Sequence, residues 1–267
     1  MGTKRWWFKW NSKGVKMIII KTEDEIKKMQ VAGKVLSDVH HKLRDFIKPG
    51  VKTIEIDRFV ENYLKERGAY PEQKGYEGYP YSICASVNDE ICHGFPTEYE
   101  LKDGDIITVD MVVNVDGWLA DSAWSYEVGT VSPEAKKLLE VTRESMYKGI
   151  EKAVIGNRLG DIGAAVQKHA ESNGYSVVRE FVGHGIGQEM HEDPQVLHYG
   201  TAGRGLRLQE GMVFTIEPMI NMGKKELTID DNGWTARTKD GSLSAQYEHQ
   251  IAITKDGPII ITDQGDC

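Results

Sequence analysis

The chain contains 267 residues, of which 41 are acidic and 33 are basic, so its formal net charge is −8. With 40% hydrophobic and 28% charged residues, its composition is that of a soluble enzyme. No segment approaches the roughly 18 consecutive apolar residues of a membrane span, and the acidic balance argues against nucleic acid as a main partner. The three cysteines lack C-x-x-C spacing, which indicates neither a disulfide framework nor a structural zinc site and favours a cytoplasmic location.

Residues 1–16 differ from the rest of the chain. They contain five basic residues, no acid and three of the six tryptophans, and the basic residues interrupt the apolar stretch that a signal peptide needs. We interpret them as an upstream extension or an artificial leader ahead of a start at Met17. The alternative is a cationic arm that faces a membrane surface or the ribosome. Residues 17–267 are expected to form a single domain.

The apolar pattern predicts four amphipathic helices in two pairs. From Thr22 to Ile47, apolar residues recur at three- and four-residue steps, and Thr22 and Glu25 form a capping box at the start. A second helix is predicted at about 53–67, and a second pair follows at about 132–153 and 159–173.

Residues 82–128 alternate like β-strands, and Asp116-Gly117 is a two-residue turn typical of a hairpin. Counting outward from this turn pairs Val112 with Asp121. Asp110 then lies on the same face as Asp121, about 7–8 Å away between backbones.

Two acids at this spacing are more often a solvated feature of an exposed sheet than a ligand pair. Asp110, however, ends the apolar run Ile106–Val109, where an unpaired charge is costly to bury. The setting therefore favours a bound cation beside these acids.

The two halves of the chain resemble each other. Residues 101–110 (LKDGDIITVD) align with residues 208–217 (LQEGMVFTIE), so leucine, glycine, threonine and the terminal acid stay in register. This repeat predicts two related halves, about 22–130 and 132–263, packed about a pseudo-twofold axis with joined sheets. The equivalent acids would then meet at the junction.

Two further acids repeat the unusual setting of Asp110. Glu217 ends the equivalent apolar run 213–216, and Glu248 lies just before the apolar run 251–253. Neither strand carries a matching lysine or arginine, and four carboxylates balance two divalent cations. Oxygen-rich ligation with some imidazole suits Mn²⁺, Fe²⁺, Co²⁺ or Zn²⁺ and does not favour one of them.

Three histidines have distinctive settings: His93 in CHGFP, His184 in GHGIG and His191 in MHEDP. The glycines on both sides of His184 are expected to let the backbone approach a ligand closely. The remaining five are interpreted as hydrogen-bonded polar groups: His40, His41, His169, His198 and His249. Strand alternation should point His249 away from the face of Glu248.

Together these residues lie in the motifs CHGFP, VGHGIG, HEDPQV, FTIEPM and AQYEHQ. With them the chain, from about Met17 to Asp263, closely resembles the type I methionine aminopeptidases. The resemblance implies an α/β fold of the pseudo-twofold "pita-bread" type, with a curved, largely antiparallel central sheet covered by two helix pairs. It also implies a metalloaminopeptidase that hydrolytically removes the N-terminal methionine from nascent proteins and peptides. Such an enzyme prefers a small second residue and uses water activated by two divalent metal ions.

The same resemblance assigns roles to individual residues. The implied metal ligands are Asp110, Asp121, His184, Glu217 and Glu248. Asp121 and Glu248 would bridge the ions. Glu217 would also transfer a proton between the attacking water and the leaving amine. His191 would donate a hydrogen bond to the developing oxyanion, and His93 would steady the scissile amide.

A methionine pocket is also implied. Its lining would be Tyr76, Tyr79, Cys84, Met190 and Trp234, and such aromatic and sulfur groups suit a thioether. Met190 replaces a phenylalanine that is common at its position, and Gln73 stands where some members carry cysteine. Asn88 and Ser244 match positions that help hold a monovalent cation in some members.

The implied partners are nascent polypeptide N-termini near the ribosome exit, with no nucleic acid or membrane partner and a monomeric chain. The nearest alternative is an aminopeptidase or prolidase of the same fold that cleaves before proline. Those relatives usually carry an additional N-terminal domain, whereas only 91 residues precede CHGFP here. A second alternative is a non-catalytic ribosome- or RNA-binding member of the fold. Such proteins typically lose ligands and gain basic patches, unlike this acidic chain.

Overall fold

The computed structural model describes residues 17–265, and the segments 1–16 and 266–267, the latter including Cys267, lie outside the described residues. Within that range, the four predicted helices are confirmed: α1 (Glu23–Phe46), α2 (Thr53–Glu66), α3 (Pro133–Ile150) and α4 (Leu159–Ser172). No helix among residues 17–265 is long and apolar enough to cross a membrane.

The start of α1 is the predicted capping box. The Thr22 side chain accepts a hydrogen bond from the Glu25 amide, and the Glu25 carboxylate accepts one from the Thr22 amide. These two bonds satisfy amides that the first turn of a helix leaves without intrahelical partners. One face of α1, including Met29 and Leu36, is fully buried against the sheet.

Fifteen short and long strands make up the rest of the described fold. In chain order they are β1 (Tyr70–Pro71), β2 (Cys84–Val87), β3 (Glu90–Cys92), β4 (Ile106–Val115), β5 (Trp118–Glu127), β6 (Ser176–Val177), β7 (Gly183–Gly185), β8 (Glu192–Val196), β9 (Val213–Ile216), β10 (Met219–Asn221), β11 (Leu227–Ile229), β12 (Ala236–Thr238), β13 (Ser244–Gln246), β14 (His249–Thr254) and β15 (Gly257–Ile260).

All described strand pairs are antiparallel. In the first half, β5 pairs with β4 along its whole length, and the predicted register of Val112 opposite Asp121 is confirmed. Because β5 takes one edge of β4, β1 and β2 share the other edge. The second half contains a five-stranded sheet in the order β15-β14-β9-β7-β8.

Each half contains an equivalent backbone contact, at positions that correspond in the sequence repeat. An isolated bridge joins Lys52, before α2, to Glu100, and the equivalent bridge joins Arg158, before α4, to Arg207. The same contacts therefore anchor the second helix of each pair.

The two halves meet where β5 passes the segment that leads into β14. The amide of Glu248 donates to the carbonyl of Ala123 at 2.8 Å, and the Ser122 hydroxyl donates to the carbonyl of Glu248 at 2.9 Å. These bonds join the sheets and place Glu248 beside the β4–β5 hairpin.

Candidate metal centre

The five implied ligands come from both halves and converge at their junction. Asp110 lies on β4, Asp121 on β5 and His184 on β7, while Glu217 directly follows β9 and Glu248 directly precedes β14.

Asp121, His184 and Glu248 form the tightest group. Each offers one ligand atom, these atoms lie within 4.8 Å of one another, and all three residues are buried. Glu217 joins this group from β9, because its Oε1 lies 3.6 Å from His184 Nε2, and Asp121 Oδ2 lies 3.5 Å from the same nitrogen. One imidazole nitrogen therefore faces two carboxylates.

Asp110 lies at the edge of this group and is only partly buried. It stands opposite Ala123 in the hairpin, two positions along from the pair of Val112 and Asp121. The charge of Asp110 raises the pKa of Asp121 and of Glu217 after the larger effect of burial. Its carboxylate therefore acts on the same site.

Burial raises the pKa of all four carboxyls. The pKa of Asp110 reaches about 7 and that of Glu217 about 8, while those of Asp121 and Glu248 lie well above their usual range. Repulsion between the acids adds to burial for Asp121, Glu217 and Glu248. Charge of opposite sign is needed for all four to ionise together near neutral pH.

The donor set fits divalent cations. Among residues 17–265, no lysine or arginine forms an ion pair with any of the four carboxylates. Glu248 Oε1 is buried and, within the described part of the chain, has no hydrogen-bond partner, an arrangement that is costly without a counter-charge. Two divalent ions would supply that charge and occupy that oxygen.

Three further residues form hydrogen bonds with the implied metal ligands Glu217 and Asp121. None of the three was predicted from the sequence to have this role. The Thr215 hydroxyl donates to Glu217 Oε1 at 2.7 Å, and the Glu217 amide donates to His198 Nε2 at 2.9 Å. The Asp121 amide donates to the Gln250 side chain at 2.9 Å. Strand alternation from Glu248 could have indicated Gln250, but nothing in the sequence around His198 singles it out.

The glycines beside His184 let β7 pack closely against its neighbours. A Cβ at Gly183 would lie 2.5 Å from the carbonyl oxygen of Thr215, and one at Gly185 would lie 2.3 Å from that of Asp193. These positions bring β7 against the backbones of β9 and β8, and close approach of the backbone to a ligand stays a prediction.

His191 and His93 lie beside the ligand group. The ring of His191 is 4.4 Å from that of His184, and its Nδ1 is 2.9 Å from the Tyr76 hydroxyl. Burial lowers the pKa of His191 to about 2 and that of His93 to about 4, so both are neutral at physiological pH. His93 packs edge-on against Phe181 at 5.3 Å, a contact that the sequence analysis missed.

Aromatic and sulfur-bearing side chains gather next to this site. Tyr79 packs edge-on against Trp234 at 5.1 Å, and the Trp234 ring is 6.2 Å from that of His93. Cys84 is buried and stands opposite Asp110 in the pairing of β2 with β4. Met190, also buried, immediately precedes His191.

The remaining predicted positions are also placed by the structure. Ser244 lies beside Asn88, since its amide donates to the Asn88 carbonyl at 2.9 Å. A monovalent cation at this point stays a prediction. His249 turns away from the ligands as expected, because its Nδ1 is 3.0 Å from the Thr262 hydroxyl and its Nε2 is 3.3 Å from the Tyr147 hydroxyl.

Comparison with known proteins agrees with this geometry. Residues 27–255 match the profile of metallopeptidase family M24. A methionine aminopeptidase of Clostridium perfringens is 50% identical over 246 residues, which cover 92% of this chain and 99% of that protein.

Solved structures show the same fold. The crystal structure of methionine aminopeptidase from Rickettsia prowazekii matches with a TM-score of 0.91 and 46% identity, covering 92% of this chain and all of the other. A prolidase from Pyrococcus furiosus matches with a TM-score of 0.75 but only 22% identity, and the match covers 65% of that chain. This second likeness shows the fold alone.

The fold and the site therefore define a metallopeptidase of family M24, the family to which this chain belongs. Within it, the chain groups with the methionine aminopeptidases. The predicted α/β "pita-bread" fold is thereby confirmed.

Proposed function

We propose that this protein is a metal-dependent methionyl aminopeptidase, which hydrolyses the first peptide bond of peptides that begin with methionine. One observation carries the proposal: four carboxylates and one histidine, four of these five residues buried, converge beside a group of aromatic and sulfur-bearing side chains. The family and the names of the relatives agree with it.

Asp110, Asp121, His184, Glu217 and Glu248 would hold two divalent ions. When bound, such ions supply Lewis acidity that activates water and polarises a carbonyl oxygen. Fe²⁺, Mn²⁺, Co²⁺ and Zn²⁺ all suit this donor set.

The side chains around the ions would perform the remaining steps. Glu217 would accept a proton from the attacking water and return it to the leaving amine. Neutral His191 can donate one N–H to the oxygen on which negative charge develops. His93 would orient the scissile amide.

The neighbouring pocket suits a methionine side chain. Tyr79, Trp234, Cys84 and Met190 offer polarizable surface to a thioether, and Tyr76 reaches the same region through its contact with His191. The substrates would be nascent polypeptides with a small second residue, processed in the cytoplasm near the ribosome exit by a monomeric chain.

The first experiment measures release of free methionine from Met-Ala-Ser and Met-Pro peptides by EDTA-treated protein, with and without added Mn²⁺ or Co²⁺. Metal-dependent release is expected. The Asp121→Asn variant should lose this release, because it removes the negative charge of one of the three closest potential ligands.

Ala-Pro peptides in parallel separate the alternatives. Cleavage of Ala-Pro in place of methionine release would contradict the pocket assignment and favour a prolidase-like activity. No cleavage of either substrate with any metal would contradict an enzymatic role.

A further inference from the structure

Thr215 is a fully buried residue of β9 whose hydroxyl contacts two of the implied metal ligands. It donates to Glu217 Oε1 at 2.7 Å and accepts from the backbone amide of His184 at 3.0 Å. The single hydroxyl thus links a ligand on β7 to the ligand that follows β9.

These contacts determine where hydrogen atoms lie. The amide of His184 can only donate, and a hydroxyl has one proton, so the Thr215 proton must point at Glu217. Glu217 Oε1 therefore accepts this hydrogen bond, which fixes the orientation of the carboxylate. Oε1 is also the oxygen that lies 3.6 Å from His184 Nε2. It is therefore the oxygen of Glu217 that faces another implied metal ligand.

We propose that Thr215 is a positioning residue of the metal centre: its hydroxyl holds the Glu217 carboxylate in the orientation in which Oε1 faces the implied metal site. This inference rests on the proposed function.

The internal repeat supplies a matched control. Thr108 occupies the equivalent position on β4, since Thr108 and Thr215 align in the repeated segments. It is also buried, but its hydroxyl lies 2.7 Å from the Ser125 hydroxyl on β5 rather than contacting a ligand carboxylate. Removing either hydroxyl disturbs a buried hydrogen bond, and only one of them touches Glu217.

The test compares Thr215→Val, Thr215→Ser and Thr108→Val with the unmodified chain. EDTA-treated proteins are titrated with Co²⁺ by calorimetry and by the visible absorption of the bound ion. Thr215→Val should bind Co²⁺ about 10–100-fold more weakly, as is typical when a group that orients a ligand is lost, and should alter the absorption spectrum. Thr215→Ser keeps the hydroxyl and should restore affinity to within about twofold, while Thr108→Val should bind as the unmodified chain does.

Several results would overturn the inference. Unchanged affinity and spectrum in Thr215→Val would show that the hydroxyl does not position Glu217. Equal weakening in Thr215→Ser or Thr108→Val would show that packing, not this hydrogen bond, is responsible. Far-ultraviolet circular dichroism of the metal-free proteins identifies a variant that fails to fold. If Thr215→Val does not fold, the Co²⁺ affinity of Thr215→Ser is the deciding measurement. If the unmodified chain neither binds Co²⁺ nor releases methionine, the proposed function is wrong and the inference falls with it.

Discussion

At the scale of single residues, the chemistry depends on side chains held in one protonation state by burial. His191 is neutral because burial lowers its pKa to about 2, with His184 and His93 lowering it further. Its Nδ1 lies 2.9 Å from the Tyr76 hydroxyl. A neutral imidazole has one N–H, and when Tyr76 donates to Nδ1 that N–H lies on Nε2.

We expect His191→Ala to lower kcat by about 10²–10³-fold, because a donor to the developing oxyanion acts chiefly in the transition state. KM should rise much less. Steady-state kinetics with Met-Ala-Ser in the presence of Mn²⁺ measures both constants.

Tyr76→Phe serves as the matched comparison for this prediction. It keeps the aromatic ring and removes only the hydroxyl that contacts His191, so its loss of kcat should be smaller than that of His191→Ala. A variant His191→Ala that raised KM and left kcat unchanged would assign the histidine to substrate binding instead.

At the scale of elements, one edge of β4 has no partner strand between the stretches that pair with β1 and β2. A side chain forms the hydrogen bonds there instead. β1 covers residues 113–114 and β2 covers residues 107–110. Between them, Gln73 accepts from the Val112 amide at 2.6 Å and donates to the Asp110 carbonyl at 3.2 Å. Its carboxamide thus takes the place of a peptide group beside a metal ligand.

Gln73→Leu should leave the Val112 amide and the Asp110 carbonyl without these partners. Each buried, unsatisfied group costs about 1–3 kcal/mol, so we expect a lower free energy of unfolding and faster hydrogen exchange at Val112. Glu72→Ala is the control, because Glu72 bonds the Asn114 side chain nearer the surface. Unchanged exchange at Val112 in Gln73→Leu would contradict the role given to Gln73.

The helices, the hairpin register and the ligand-bearing strands could be predicted from the sequence because each rests on a local pattern. The Thr22/Glu25 box and the Asp116-Gly117 turn act within a few residues of chain. Gln73, Thr215 and His198 could not be found in this way, because their partners lie on other strands and short-range periodicity carries no information about them. The close packing at the glycines beside His184 could not be predicted for the same reason.

At the scale of the whole molecule, the site exists only where the two halves meet. The first half contributes Asp110 and Asp121, and the second contributes His184, Glu217 and Glu248. Burying four acids at one junction makes the stability of the metal-free protein depend on pH.

We expect the metal-free protein to lose stability as the pH rises from 6.5 to 8.5. In the folded state the pKa values of Asp110 and Glu217 are about 7 and 8, above the value of about 4 for unfolded carboxyls. The folded state therefore binds more protons, and the stability that these groups contribute at low pH disappears as the pH passes through 7 and 8. Denaturant unfolding of the EDTA-treated protein should show a slope of up to about 1.4 kcal/mol per pH unit for each such group.

Glu217→Gln should flatten this slope near pH 8, since an amide does not titrate. Added Mn²⁺ should reduce it in the unmodified chain, because the ions keep the carboxylates ionised. A metal-free protein whose free energy of unfolding stays constant or rises across this interval would contradict the raised pKa values.

The position of Glu248 also has a consequence for biosynthesis. Translation produces the ligands in chain order, so Asp110 and Asp121 emerge first and Glu248 emerges last, well after His184 and Glu217. A polypeptide arrested before that point would lack a ligand of the tightest group. The metal site would therefore be completed only late in synthesis, once both halves of the chain have been made.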